Sequence, residues 1–472
     1  MPEAKIPDIL AIVGRRDPTL ARAAGKVAQL VSAAGGRALL VGGCIRDALI
    51  GGEPHDLDIE VYGLDAERLE AALEAEFKLN KVGISFGVIK LSGVDIDVSL
   101  PRRENKIGRG HRGFMIEPDA ELSFAEACAR RDFTCNAMLY DPMSGELIDP
   151  HGGVRDIESR TLRQVGAAFA EDPLRVLRAM QFLARFNFTP APELAEVCAA
   201  MTPEGLAIER VGGEWDKLLL QGNTPSRGLA FLRECKWVRY YPELEVLIDC
   251  PQYPLWHPEG DVWAHTLHSL DAAAQLRTGD VADDRVMMLA VLCHDFGKPA
   301  TTQHEADGRI TSRGHEEEGA EPTRRFIGRL YREAKLAAQV VPLVENHLKP
   351  YTFYYQKASA RAIRRLAARV PRLDLLAATA QADSAGRPPT PVDIEPLTWF
   401  RQRIEELNVA REAPQPIIKG RDAIALGVSP GREMGRLIEL CYEAQLDGAF
   451  STPEQGVEFL TGLIAAAKQP EK

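Results

Sequence analysis

LLVGGCIRDALIGGEPHDLDIEVY, residues 39 to 62, decides how the rest of the chain is read. The apolar run Leu39 to Val41 predicts a buried strand that breaks at Gly42 and Gly43 into a helix start, IRDALI. Backbone N–H groups at such a helix start are unpaired, and glycine lets a phosphate approach them, with Arg46 as counter-charge. His55-Asp56-Leu57-Asp58 then leads into a second strand, Ile59 to Tyr62, and strand alternation sets Asp56 and Asp58 on one face. Two carboxylates opposite a phosphate turn are the ligand set of a two-metal phosphoryl transfer. Mg²⁺ is hard and bridges carboxylate oxygens to substrate phosphates.

LVGGCIRD followed by HDLDIEV resembles the head domain of the class II tRNA nucleotidyltransferases and bacterial poly(A) polymerases. The resemblance implies an α+β architecture: a head of mixed sheet and helices followed by an all-helical neck, a second module and a helical tail. The expected boundaries are 1–160, 161–250, 257–385 and 397–472.

Composition agrees with several folded units. The chain has 472 residues, too many for one ordinary core, with 45% hydrophobic and 26% charged residues. No run of eighteen apolar residues exists and MPEAKIPDIL is not a leader, so the expectation is a cytoplasmic protein with no membrane partner. Cys44, Cys128, Cys135, Cys198, Cys235, Cys250, Cys293 and Cys441 are scattered without a C-x-x-C pair, which predicts reduced thiols and no disulfide partner. The net charge of −11 does not exclude a nucleic-acid substrate, because binding follows local clusters of basic residues.

In chain order, residues 1 to 35 predict helices ending at the glycines of VAQLVSAAGG. DAERLEAALEAEF predicts an amphipathic helix, and FGVIKLS and VDIDVSL two strands. Asp95 and Asp97 share a face of the second, and either supplies a third carboxylate; position before Pro101-Arg102-Arg103-Glu104 matches Asp97 to the family's third acidic residue. Residues 101 to 123 are basic, glycine-rich and aperiodic, and predict a long irregular loop where the family has a flexible one. ARRDFTCNAMLYD matches the family's R-R-D-F-T-x-N-A motif: Arg131 is a phosphate contact, while Asp132 and Asn136 hold the joint to the next domain. A hairpin turning at Pro142 to Gly145 closes the head.

From 161 on the pattern is helical. AFAEDPLRVLRAMQFLARFNF starts a helix at Pro173, with Asp172, Arg175 and Arg178 along one exposed face. In the family the corresponding E-D-x-x-R helix reads the base of CTP or ATP, a role the resemblance gives to Asp172 and Arg175, with Arg178 beside them. Gln181 stands where many members carry a further arginine.

A second signature follows. His265, the doublet His294-Asp295, His315, His347 and Asp383 lie in helical patterns, and mixed imidazole and carboxylate suits a divalent transition metal: Mn²⁺, Ni²⁺, Co²⁺, Fe²⁺ or Zn²⁺. H…HD…D resembles the HD phosphohydrolase superfamily. His265, His294, Asp295 and Asp383 match its metal pattern, His315 and His347 complete a second position, and Lys298 meets phosphate. GRPPTPVDIEP reads as a linker, and the tail carries Lys419, Arg421 and Arg432 towards an RNA backbone. The function implied is template-independent addition of CCA to tRNA 3′ ends from CTP and ATP, with a second phosphohydrolase activity on 2′,3′-cyclic or terminal phosphates. The alternatives are an A-adding enzyme or poly(A) polymerase, and an HD phosphohydrolase as the main activity.

Overall fold

The computed structural model describes residues 7–80, 88–106, 114–119 and 122–467. The chain divides into two compact units that meet in sequence at Tyr240 and Tyr241.

The first unit is built on a seven-stranded mixed sheet. Its strands are β1 (Arg37–Val41), β2 (Leu57–Tyr62), β3 (Leu79–Asn80), β4 (Val88–Leu91) and β5 (Ile96–Ser99), then, beyond a separate hairpin of β6 (Arg102–Lys106) and β7 (Phe114–Pro118), β8 (Leu139–Tyr140) and β9 (Leu147–Ile148). The order is β3-β4-β5-β2-β1-β8-β9, with β2 and β5 parallel and the other pairs antiparallel. Leu39, Val41, Tyr62 and Leu139 pack with Cys128 and Ala137 beneath it, so the central strands read as near-continuous apolar runs. The β6–β7 pairing corrects the reading of 101–123 as one irregular loop: its arms are strands, registered from Arg102↔Pro118 to Lys106↔Phe114. The segment 107–113 between them, like the start of the FGVIKLS strand, lies outside the described residues.

The preamble forms two helices, Ile9–Arg16 and Pro18–Ala33, separated by Asp17, which caps the second by accepting from the Thr19 and Leu20 N–H groups. Beyond the sheet, the helix Leu174–Phe186 buries nine side chains, including Leu177, Met180 and Phe182, against helices Ile208–Asp216 and Pro225–Glu234.

Among its described residues the second unit is helical apart from a two-stranded ribbon at 303–311. Its centre is the helix Val281–Cys293, whose last eight residues, Val286 to Cys293, are all buried. A helix apolar on every face must be surrounded, and Val262–Ala274, Ala334–Asn346 and Leu373–Ala385 pack around it. The proline-rich stretch is the loop before Ile394–Glu406. Helices Gly420–Ala425, Arg432–Leu446 and Pro453–Ala467 close on a small core of Ile418, Met434, Leu437, Cys441, Phe450 and Leu460. All eight cysteines are buried and free, and no helix among the described residues is long and apolar enough to cross a membrane.

Candidate active sites

In the first unit the sheet register builds the site. Val41, the last residue of β1, faces Asp58 on β2, and Asp58 in turn is registered with Asp97 on β5. Asp97, not Asp95, is therefore the carboxylate beside Asp58. Gly42 follows Val41 with φ +79°, a backbone only glycine adopts freely. A Cβ there would stand 3.2 Å from Arg131 Nη1 and 3.9 Å from Asp58 Oδ2, so the turn, the guanidinium and the carboxylate meet at one point. Partial removal from water, with Asp56 and Asp97 nearby, pushes the Asp58 carboxyl up, while Arg131 and Lys90 pull it down. Lys90 holds Asp97 through both oxygens at 2.8 Å. Asp56 and Asp58 both reach solvent.

Arg46 departs from the expected position over the turn. It is only 6% exposed, under Gly43, where its Nη1 donates to Asn136 (2.6 Å), its Nε and Nη2 donate to Asp47, and its guanidinium stacks 4.6 Å from the Phe186 ring. Its charge is thus paired with Asp47, and Arg131 is the cation at the mouth. Arg131 is steadied from behind by Glu60 (3.4 Å), which is 1% exposed and also takes Arg130 at 2.8 Å and the Tyr62 hydroxyl at 2.5 Å.

Asp132 and Asn136 form the joint. Asn136 donates to Asp132 Oδ1 (2.9 Å) and Arg178 donates to Oδ2 (2.6 Å). Burial works against the Asp132 charge, yet Arg178 and Asn136 hold its carboxyl below the usual range. Arg178 is correspondingly raised.

The expected exposed row of Asp172, Arg175 and Arg178 is half-buried. Asp172 accepts from the Leu174 N–H and from Arg210 Nη2 (2.7 Å), and Arg175 donates to the carbonyls of Ala168 and Arg130. Tertiary partners thus turn these side chains inward from the solvated face that helical spacing predicts. Gln181 is 1% exposed and accepts from Arg185, so it is no member of a basic row. Arg210, 38 residues from its partner Asp172, carried no local signal.

In the second unit the six expected residues converge in two buried groups, His265 with His294 and Asp383, and Asp295 with His315 and His347. His294 and Asp295 leave the end of the central helix. Gly297 then allows close approach, since a Cβ would stand 2.0 Å from the His315 carbonyl oxygen.

His294, His315 and His347 each place Nδ1 2.6 to 2.7 Å from a carbonyl oxygen, of Val291, Ser312 and Val344. A carbonyl only accepts, so Nδ1 carries a proton and Nε2 is the nitrogen each ring turns to the cluster. His265 does the same, with Nδ1 2.8 Å from Glu259 Oε1. The Nε2 atoms face one another in pairs: His265 and His294 Nε2 are 3.2 Å apart, His315 and His347 Nε2 3.3 Å, and Asp383 Oδ1 lies 3.1 Å from His265 Nε2.

Asp295 spans both groups, with Oδ2 3.2 Å from His294 Nε2 and Oδ1 3.4 Å from His315 Nε2. Its oxygens are buried without a directed hydrogen bond, although Lys298 Nζ lies 2.7 Å from Oδ2. Imidazole nitrogens facing one another around a carboxylate that lacks a directed hydrogen bond are a donor set that fits divalent cations. Burial and the neighbouring His294 and His315 keep His347 neutral, its pKa lowered to about 3, whereas the surrounding carboxylates hold His265 up against its own burial. Glu259, despite burial, is lowered to about 2 by hydrogen bonds with His257 and His265.

A cavity of about 240 Å³ opens onto the second group. Beside the cluster it is lined by Lys298, Arg387, Gln252, Tyr253, Trp256 and His257. Lys298 donates to Gln252 Oε1 (2.7 Å) as well as facing Asp295, and Arg387 donates to Asp383 Oδ1 (2.9 Å). Sequence reasoning missed Arg387, although one helical turn after Asp383 is a readable spacing. It also missed the aperiodic loop 250–260. The tail cations Lys419, Arg421 and Arg432 are exposed at the starts of their helices.

A mixed sheet carrying a glycine turn beside paired aspartates, followed in the chain by a buried histidine and aspartate cluster, defines a nucleotidyltransferase joined to an HD module. Residues 38–163 match the poly A polymerase head domain, and 262–379 the HD domain. The multifunctional CCA protein of Xanthomonas campestris pv. campestris (strain B100) is 35% identical over 364 residues, spanning 74% of this chain and 85% of that protein. That of Stenotrophomonas maltophilia (strain R551-3) is 40% identical over 299 residues, 62% and 70% of the two chains. The chain belongs to the family of multifunctional CCA proteins. Its fold is similar to that of the Bacillus stearothermophilus CCA-adding enzyme crystallised with CTP (TM-score 0.64, 20% identity, 96% of this chain and 99% of that one). It is likewise similar to the Thermotoga maritima enzyme complexed with tRNA (TM-score 0.59, 19% identity, 98% and 99%).

Proposed function

We propose that this chain adds C, C and A to the 3′ end of tRNA from CTP and ATP without a nucleic-acid template. The observation that carries the reading is the register Val41–Asp58–Asp97, which sets two carboxylates next to the Gly42 turn and Arg131. Asp56, Asp58 and Asp97 offer only oxygen and reach water, the environment of Mg²⁺. When bound there, Mg²⁺ activates the 3′-hydroxyl and neutralises the triphosphate. Gly42 and Gly43 admit the phosphates, Arg131 faces them, and Arg46 fixes the turn from beneath. Asp172 and Arg175, with Arg210, offer one acceptor and several donors to a base edge. Lys419, Arg421 and Arg432 would meet tRNA backbone.

The names of the relatives favour CCA addition over A-only or poly(A) addition. The test is incubation of the protein with tRNA lacking one, two or three terminal nucleotides, giving CTP and ATP separately and together. Incorporation of A alone, with no C added to any substrate, assigns it to the alternative.

The HD module is proposed as a second active site, a phosphohydrolase on 2′,3′-cyclic or terminal phosphates. His265, His294 and Asp383 would hold one transition ion and Asp295, His315 and His347 a second. Bound there, the ions supply hydroxide at neutral pH and polarise the phosphoryl oxygen. The chain's own part is to fix the four imidazole tautomers, to keep Asp295 ionised and to set Lys298 beside the cavity. Hydrolysis that depends on added Mn²⁺, Ni²⁺ or Co²⁺ tests it.

A further inference from the structure

Trp256 is 66% exposed and yet lines the HD cavity. Large aromatic rings left in water at the lip of a charged pocket are unusual: the four other tryptophans are buried or half-buried. The loop that carries it is held from both ends. The Trp256 N–H donates to the Tyr253 carbonyl (3.0 Å), and Gln252 is pinned by its own donation to the Gly260 carbonyl (3.3 Å) and by Lys298. The ring is therefore presented by an ordered turn.

Against the metal-ligand cluster the cavity offers two cations of fixed position, Lys298 beside Asp295 and Arg387 beside Asp383. A volume of about 240 Å³ lies just below the ~300 Å³ at which small-molecule pockets begin. That is more than a bare phosphate fills and less than an oligonucleotide needs. An anion subsite at the floor and an exposed indole at the lip are the two ends of a nucleotide: phosphate below, base above. Indole faces stack any base and read none, so the platform tolerates all four.

Building on the hydrolase reading, we propose that Trp256 is a base-stacking platform and Arg387 the second phosphate cation of the HD site, making its substrate a single nucleotide or a nucleotide end. A phosphomonoester without a base is then a poor substrate.

The experiment compares a 2′,3′-cyclic nucleotide with methyl riboside 2′,3′-cyclic phosphate, which keeps the phosphate and lacks the base. Hydrolysis is read with Mn²⁺, Ni²⁺ or Co²⁺, and indole emission during nucleotide titration is read in parallel. Trp256→Ala should lower kcat/KM for the nucleotide about tenfold or more, mainly through KM, and leave the base-free compound unchanged. Trp256→Phe should restore most of the loss. Nucleotide should quench the emission of the wild type but not of Trp256→Phe. Arg387→Ala should depress both substrates together.

Equal effects of Trp256→Ala on the two substrates, or none on either, overturn the platform. The hydrolase reading then survives if His294→Ala with Asp295→Ala abolishes turnover. If the wild type hydrolyses neither compound, the hydrolase reading falls and emission alone decides. Quenching that requires Trp256 upholds nucleotide binding, and its absence overturns the inference too.

Discussion

Replacing Gly42 by alanine separates the turn's role in folding from its role at the site. At φ +79° and ψ −130° an alanine pays a backbone penalty on the order of 1–3 kcal/mol. Its Cβ also lies 3.2 Å from Arg131 Nη1, tight enough that Arg131 must shift by a few tenths of an ångström. Arg131 has little room, since Glu60 behind it is 1% exposed and fixed by Arg130 and Tyr62. Misplacement near 1 Å in a phosphate-holding group costs about 10²-fold in rate, so a shift of a few tenths of an ångström should cost up to about tenfold. Gly51 is the matched control: its φ is +85°, and nothing lies within 4 Å of the added Cβ. Both variants should lose comparable stability in urea unfolding of the full chain. Only Gly42→Ala should lose incorporation of labelled CTP into tRNA lacking its last three nucleotides, by up to about tenfold. Equal incorporation by the two variants would show that Gly42 is a folding glycine and that the phosphates lie elsewhere.

Asp56→Ala or Asp58→Ala should lower nucleotide addition by about 10²-fold or more with folding intact, and full incorporation by the double variant removes these carboxylates from the site. Arg175→Ala should raise misincorporation of UTP or GTP more than it weakens triphosphate binding; equal slowing of CTP and ATP addition with unchanged fidelity makes the helix structural. Asp132→Asn should destabilise by about 2 kcal/mol near pH 7, because Arg178 loses a charged acceptor. The Asp132 carboxyl is held below its ordinary value in the folded chain, so its contribution is present above the unfolded value near ~3.9 and is lost as pH falls through the folded value. The stability gap between wild type and variant should therefore close below about pH 4, and a gap constant with pH counts against the charge argument. His294→Ala with Asp295→Ala should abolish transition-metal binding in calorimetry while nucleotide addition persists, the two sites drawing on different ligands.

What was legible in the sequence was what is local. The Gly42 turn and the Asp56/Asp58 pair occupy one short stretch, and strand alternation plus a glycine break suffices to relate them. The HD doublet was legible because histidine and aspartate at the end of the apolar run Val286 to Cys293 stand out from it. The rest depends on pairings distant in sequence. Arg210 reaches Asp172 across 38 positions, and Phe182 and Phe186 cover Arg46 from a helix more than a hundred residues on. One arm of the β6–β7 hairpin, RRENK, is polar throughout and the other, FMIEP, opens on an unbroken apolar run, so the period-2 signal is missing where the strands exist. Trp256 and His257 lie on a loop, where periodicity has nothing to say.

The two candidate sites reach their geometry by different means, and this bears on how each selects its ion. The head carboxylates stand where the register of three strands sets them, reach water and offer oxygen alone, so a hydrated hard ion suits them. The HD imidazoles are fixed one at a time by the chain beside them. His294, His315 and His347 each donate to the carbonyl three residues back, and for His294 and His347 that carbonyl belongs to the last turn of a helix, where acceptors have capacity to spare; Val344 takes the His347 backbone N–H at 3.5 Å as well as its ring. A nearby main-chain acceptor thus holds the Nδ1 proton and turns Nε2 inward. Ligands oriented before any ion arrives lose little freedom on binding, and nitrogen donors favour borderline transition ions over Mg²⁺. On the proposed assignment one chain then keeps two ions apart by donor chemistry, while affinity alone would let transition ions compete at both sites.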